Sequence, residues 1–204
     1  MHRKPFAVLT KTLCLWPLAL AVGWATPTVG KPAPAFSLPD AQGKTRSLEE
    51  FKGKYVVLEW FNNQCPFVRK HYDSGNMQKL QQTYTAKGVI WLSIDSSAPG
   101  KEGYMTANEA NQVIAQNKAA PTAMLLDSEG KVGQMYGSKN TPTMFIIDPQ
   151  GVLIYKGGID DRPSTDVADI QGARNYVAQA LDESMAGKPV SMPSTKPYGC
   201  SVKY

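Results

Sequence analysis

An α/β domain built on a central mixed sheet is the fold class this sequence predicts, and three observations carry the prediction. Two apolar runs rich in β-branched residues, YVVLEWF (55–61) and VIWLSID (89–95), are separated by a segment of helical character. A third stretch, TPTMFIIDPQGVLIYKGGI (141–159), holds two apolar runs around Asp148-Pro149-Gln150-Gly151 and reads as an antiparallel hairpin. A final helical pattern over roughly 168–186 closes the domain. Strands alternating with helices and ending in a hairpin and a helix imply helices packed on a mixed sheet.

Taken in order, the segment after residue 28 is rich in proline (Pro32, Pro34, Pro39), which forbids a regular helix. Phe36, Leu38 and Leu48 flank a turn centred on Gly43, so an N-terminal hairpin extension is expected there. It leads into a short helical turn opened by Ser47 with Glu50 at capping-box spacing. YVVLEWF is apolar on both faces and belongs in the middle of its sheet. Pro66 suits the first turn of a helix running to Gly88, with a break expected at DSGN (73–76). After VIWLSID comes a polar loop, and then a helix opened by the Thr106/Glu109 capping box with a narrow stripe of Ala110, Val113 and Ile114. The tail, GKPVSMPSTKPYGCSVKY, has no helical period, yet Val190, Met192, Tyr198, Val202 and Tyr204 give it apolar groups to pack.

The first 25 residues carry Arg3, Lys4 and Lys11 without an acid, then an uncharged apolar run from Leu13 to Ala25, the layout of a secretory signal peptide cut after Ala25. That run is short against the roughly 20 apolar residues of a spanning helix. Three units follow: a signal peptide over 1–25, a folded domain over 26–186, and a tail over 187–204 carrying Cys200. Removing the signal takes three basic residues, leaving 19 bases against 17 acids and lowering the net charge from +5 to +2. No dense Lys/Arg block is left, so nucleic acid is not an expected partner, and neither is a stable membrane anchor. Cys14 leaves with the signal. Cys65 and Cys200 remain, destined for a periplasmic or secreted setting that permits disulfides.

Cys65 stands where a central strand gives way to a helix. Free backbone N–H groups at a helix N-terminus favour a thiolate, and Arg69 lies one turn along. A lone cysteine is otherwise a small buried hydrophobe, but the polar Asn62-Asn63-Gln64 before it argues for access. The run from Val29 to Pro66, followed by GVIWLSID, LLDSEGKVGQMYG and the hairpin, resembles the redoxin branch of the thioredoxin-like superfamily over residues 28–160. That branch includes periplasmic thiol-disulfide oxidoreductases and peroxiredoxins. The resemblance implies a thioredoxin-like fold, Cys65 as nucleophile on a disulfide or peroxide, an external thiol reductant, and a cis-proline loop opposite the sulfur at Thr141-Pro142. The Thr141 backbone is then free to pair with an extended substrate. Pro142 also reads simply as the start of a strand. Glu59 interrupts a buried strand six residues before the cysteine, where thioredoxins carry a buried acid that moves protons; the plainer reading is an acid near a strand end reaching solvent or a lysine.

The departures from the family pattern are equally informative. Thioredoxin's Cys-Gly-Pro-Cys is Cys-Pro-Phe-Val here, so no local disulfide can form at residues 65–68. Peroxiredoxins place a threonine three residues before the reactive cysteine and a proline seven before. This chain has Asn62 and Leu58 there, so peroxidase chemistry loses its best local evidence, although the Asn62 amide can still hydrogen-bond a peroxide oxygen. His71 lies well over one turn from Cys65, so neither a metal nor any other cofactor is expected. The second thiol is Cys200 or one from another molecule. About 14 residues of extended tail reach some 40 Å at roughly 3.1 Å each, enough to bring Cys200 across the domain. A Cys65–Cys200 bridge has two uses. It is a working resolving pair, or a structural disulfide closing a long loop worth roughly 4 to 5 kcal/mol on a non-catalytic binding scaffold.

Overall fold

The computed structural model describes His2 and residues 26–204; the signal-peptide expectation falls on 1–25 and lies outside the described residues apart from His2. The chain enters through a small antiparallel hairpin, β1 (Ser37–Pro39) and β2 (Thr45–Ser47), turned by Gly43 at φ +79°. A 3-10 turn, Leu48–Phe51, follows with the Ser47/Glu50 capping box in place. Then come β3 (Val56–Trp60), α1 (Pro66–Asp73), α2 (Asn76–Ala86), β4 (Ile90–Asp95), α3 (Ala107–Gln116), β5 (Ala123–Leu126) and α4 (Lys131–Tyr136). The chain closes with β6 (Asn140–Thr141), β7 (Thr143–Ile147), β8 (Leu153–Gly157), α5 (Tyr176–Met185) and β9 (Cys200–Ser201).

Five strands form the main sheet in the order β5-β4-β3-β7-β8. β3, β4 and β5 are parallel, whereas β7 and β8 run antiparallel, so the sheet is mixed. β3 is central and every residue in it is buried. Its alternation sends Val57 and Glu59 to the face covered by α1, α2 and α5, and Val56, Leu58 and Trp60 to the face covered by the N-terminal extension and α4. On that second face Trp60, Tyr136 and Phe145 pack ring against ring at 5.1 to 5.5 Å, each such pair adding about 1 kcal/mol beyond its buried area.

One boundary matches the sequence expectation and another differs. The helical segment after Pro66 breaks at DSGN (73–76), as expected, into two helices. Gly75 at φ +74° breaks it, and Ser74 folds back to donate to the His71 carbonyl. The final helix begins at Tyr176 instead of near 168, because the Asn175 side chain accepts the Ala178 N–H and fixes the start there. Residues 167–170 form only a separate 3-10 turn. The sequence reading also passed over β5 as a strand and α4 as a helix; both are short, four and six residues.

No helix among the described residues is long and apolar enough to cross a membrane. The tail is not loose. Lys156 N–H donates to the Pro193 carbonyl and Thr195 N–H to the Lys156 carbonyl, which ties the tail to the edge of β8. It then crosses to β6, where β9 adds antiparallel with Thr141 opposite Cys200 and Asn140 opposite Ser201.

Candidate active site

Cys65 is the N-cap of α1, with Pro66 at the first helical position and no side chain capping the helix. Pro66 has no N–H to offer, so the next backbone amides are the donors left at this helix end. Cys65 N–H itself donates to the Asn62 carbonyl at 3.2 Å, a tight turn that fixes the cysteine between β3 and α1. Its side chain is fully buried.

Thr141 and Cys200 enclose the sulfur. Cys65 Sγ lies 3.2 Å from the Thr141 carbonyl oxygen and 2.6 Å from Cys200 Sγ. The Thr141–Pro142 peptide is cis, as the family resemblance implied. Both cysteines are thiols in this structure, Cys65 buried and Cys200 partly exposed. Burial first, then the hydrogen bond and electrostatic coupling to the neighbouring Cys65 sulfur, push the Cys200 thiol up to about 12. Cys200 is therefore a sulfur that holds its proton until another group takes it.

The expectation that the Thr141 backbone stands free is corrected here: β9 occupies it. Unpaired backbone groups at a buried edge are costly, and the tail supplies their partners. Asn140 Nδ2 donates to the Gly199 carbonyl at 3.1 Å, and Val202 N–H to the Lys139 carbonyl at 3.0 Å. Gly199 has φ +125°, and a Cβ there would overlap the Thr141 carbonyl, so glycine is what lets the tail come this close.

Glu59 is fully buried and bound on both oxygens. Tyr72 Oη donates to one at 2.8 Å; Trp91 Nε1 (2.8 Å), Ser93 Oγ (2.8 Å) and Gln81 Nε2 (3.3 Å) donate to the other. Burial raises its pKa against the opposing pull of these four donors. Its partners tie α1 and α2 to the sheet, and none of them is a sulfur. Asn62 is buried too. Its Oδ1 accepts the Gln64 N–H at 2.8 Å and its amide donates to the Glu102 carbonyl at 3.4 Å, which braces the loop after β4. Arg69 is exposed and its guanidinium turns along the helix to Asp73, 3.4 Å away.

A second polar cluster was missed in the sequence. His71 is fully buried, and Tyr198 of the tail puts its hydroxyl 3.2 Å from His71 Nε2 and 2.5 Å from Asp160 Oδ1, to which it donates. Buried Lys70 donates to the Arg162 carbonyl at 2.7 Å and stands 3.8 Å from Asp160. The only trace of this in the sequence is an aromatic-glycine pair directly before Cys200. Among the described residues no three His, Cys, Asp or Glu side chains come together as a metal would require.

The model of the AhpC/TSA family matches residues 29–156. The chain belongs to this family. A curated relative, thiol-disulfide oxidoreductase ResA of Bacillus thuringiensis subsp. konkukian, is 31% identical over 119 residues, 52% of this chain and 68% of that protein. A second, putative peroxiredoxin bcp of Coxiella burnetii, is 28% identical over 110 residues, 53% of this chain and 66% of that protein. Among solved structures, an uncharacterized conserved protein from Geobacillus kaustophilus superposes with a TM-score of 0.75 at 27% identity, covering 87% of this chain and 92% of its own. Solved thiol-disulfide oxidoreductases share the thioredoxin-like fold. The chain is an oxidoreductase of the redoxin type.

Proposed function

We propose that this protein is an exported thiol-disulfide oxidoreductase in which Cys65 attacks a disulfide of a protein substrate and Cys200 resolves the product. The observation that carries the reading is the 2.6 Å contact between the two sulfurs, 135 residues apart in sequence. Two further facts support a disulfide over a peroxide as substrate. The Asn62 amide is already engaged with the Glu102 carbonyl, and the Thr141 edge accepts an extended cysteine-bearing strand, here the chain's own.

The thiolate of Cys65 attacks one sulfur of the substrate disulfide, forms a Cys65–substrate mixed disulfide and expels the other substrate sulfur as thiolate. Cys200 then gives up its proton to the departing thiolate and attacks Cys65 Sγ. The Cys65–Cys200 bond forms, the mixed disulfide breaks and the second substrate sulfur leaves. The substrate disulfide has been reduced by two electrons and the enzyme pair oxidised by two, and an external dithiol returns the pair to thiols. With the tail displaced, Thr141 beside Pro142 offers the substrate chain the edge that β9 otherwise occupies. Glu59 acts as a positioning residue: through Tyr72 it holds α1, whose first turn presents Cys65. Arg69 contributes a basic rim to that helix. Export rests on the layout of the first 25 residues.

The test is turnover of a model disulfide and, separately, of hydrogen peroxide with a dithiol reductant. Cys65→Ser should abolish disulfide turnover. Cys200→Ser should slow it and accumulate a mixed disulfide at Cys65. Peroxide turnover faster than disulfide turnover would overturn the choice of substrate. A Cys65→Ser variant of unchanged rate would overturn the nucleophile.

A further inference from the structure

Cys200 is held by two groups of contacts, and one is placed to control where its sulfur sits. Downstream, Ala98 N–H donates to the Lys203 carbonyl and Tyr204 Oη to the Ser138 carbonyl. Upstream, two residues away, Tyr198 is driven into the body of the domain. Its ring packs edge-on against Phe67 with centroids 5.9 Å apart, and the Lys70 ammonium lies 5.8 Å from the ring centre. Its hydroxyl ends in a directional chain. Asn76 Nδ2 lies 2.9 Å from His71 Nδ1 and can only donate, so Nδ1 accepts and the proton sits on Nε2. Nε2–H then donates to Tyr198 Oη, which donates to Asp160 Oδ1.

The tail thus meets α1 twice, Tyr198 on His71 at 3.2 Å and Cys200 on Cys65 at 2.6 Å, with Gly199 between. We propose that Tyr198, oriented by His71 and Asp160, is the positioning residue that sets the effective concentration of the Cys200 thiol at Cys65. The inference rests on the pairing of these cysteines proposed above. It adds that the strength of the pair as a redox couple is set at Tyr198, outside the sulfurs. Burial, with the charge of Lys70, lowers the His71 pKa to about 3, so the ring is neutral and its one N–H stays committed to the phenol.

The experiment equilibrates the protein with glutathione redox buffers, quenches by alkylation and reads the Cys65–Cys200 disulfide by peptide mass. Tyr198→Phe keeps the ring and removes only the hydroxyl. It should lower the equilibrium constant for disulfide formation about tenfold, a shift of about 30 mV. Thr195→Val is the control. It loosens the tail farther from Cys200, where Thr195 Oγ1 meets Tyr155 Oη and Gly158 N–H, and should change the constant less than threefold. Asn76→Ala removes the bond that fixes the His71 tautomer without touching the tail and should move the constant the same way as Tyr198→Phe, by about threefold. A constant unchanged within twofold in Tyr198→Phe, or an equal loss in Thr195→Val, overturns the positioning role. A wild-type protein that forms no such disulfide at any buffer ratio overturns the pairing itself, so the two failures are told apart.

Discussion

Two buried polar clusters meet α1 on adjacent residues, Tyr72 from one and His71 from the other, and they are built to different standards. Around Glu59 each carboxylate oxygen has a donor, and all four donors come from α1, α2 and β4, elements held at both ends. Around Asp160 one oxygen accepts from Tyr198 and the Arg162 N–H, while Oδ2 is buried without a hydrogen-bond partner. The key donor there belongs to the last seven residues of the chain. A closed cluster among fixed elements holds a fold together. A cluster that depends on a tail residue holds something that can leave.

The sharpest way to break this comparison is to delete each keystone. Glu59→Ala strands four buried donors and should cost about 3 kcal/mol of global stability in urea unfolding. Tyr198→Phe should cost about 1 kcal/mol or less and show instead as faster amide exchange confined to residues 194–204. Equal global losses would mean that the tail is as integral as the sheet. Next in size, Gly199→Ala should slow formation of the intramolecular disulfide by about tenfold or more, since its Cβ drives the strand off Thr141 and strain at positive φ adds to that. A rate within twofold of wild type would show that the close approach is unnecessary.

The clusters should also respond to pH in opposite directions. His71 is depressed from 6.5 to about 3 in the folded protein, so its contribution is present above pH 6.5 and is lost as pH falls toward 3. Lys70 on its own helix, Tyr198 from the tail and Asp160 after β8 are the groups that face it. Glu59 is raised, so the folded state binds its proton more tightly than the unfolded chain. Its contribution is favourable at low pH and is lost as pH rises above the ordinary value near 4.5 through the folded one. Acid should therefore release the tail, seen as proteolysis within residues 188–204 below pH 6.5, before it unfolds the sheet. Glu59→Gln should flatten the global stability profile above pH 4.5 and leave tail release unchanged. The smallest effect expected is on the sulfur: Glu59→Gln should alter Cys65 alkylation at neutral pH by about twofold, acting through the position of α1. A tenfold change would instead make Glu59 a direct proton partner.

The sheet was legible because burial on both faces leaves a signature that needs no context: YVVLEWF and VIWLSID are apolar throughout and became β3 and β4. Cys65 was legible for the same kind of reason, as strand, polar turn and Pro66 are local features. What escaped depends on distance. β5 and α4 are too short to show a period, and the start of α5 was set by one Asn175 cap inside a longer helical pattern. The tail gave away its apolar residues but not their targets, because nothing near Tyr198 in sequence reports that His71 and Asp160 wait 127 and 38 residues away. Thr141 read as an open edge for a related reason: a two-residue pairing with β9 has no local signature at either end.

The central claim is that Cys65 and Cys200 form a working redox pair, and the reduction potential of that pair tests it most directly. Reduced protein would be equilibrated with dithiol buffers and the two cysteines followed by alkylation and peptide mapping. The account predicts one two-electron couple with a Cys65–Cys200 peptide as its oxidised form, at a potential between about −180 and −270 mV, where thiol carriers can turn it over. A couple below about −300 mV would mark a structural disulfide, and an oxidised protein with no such peptide would remove the pair altogether.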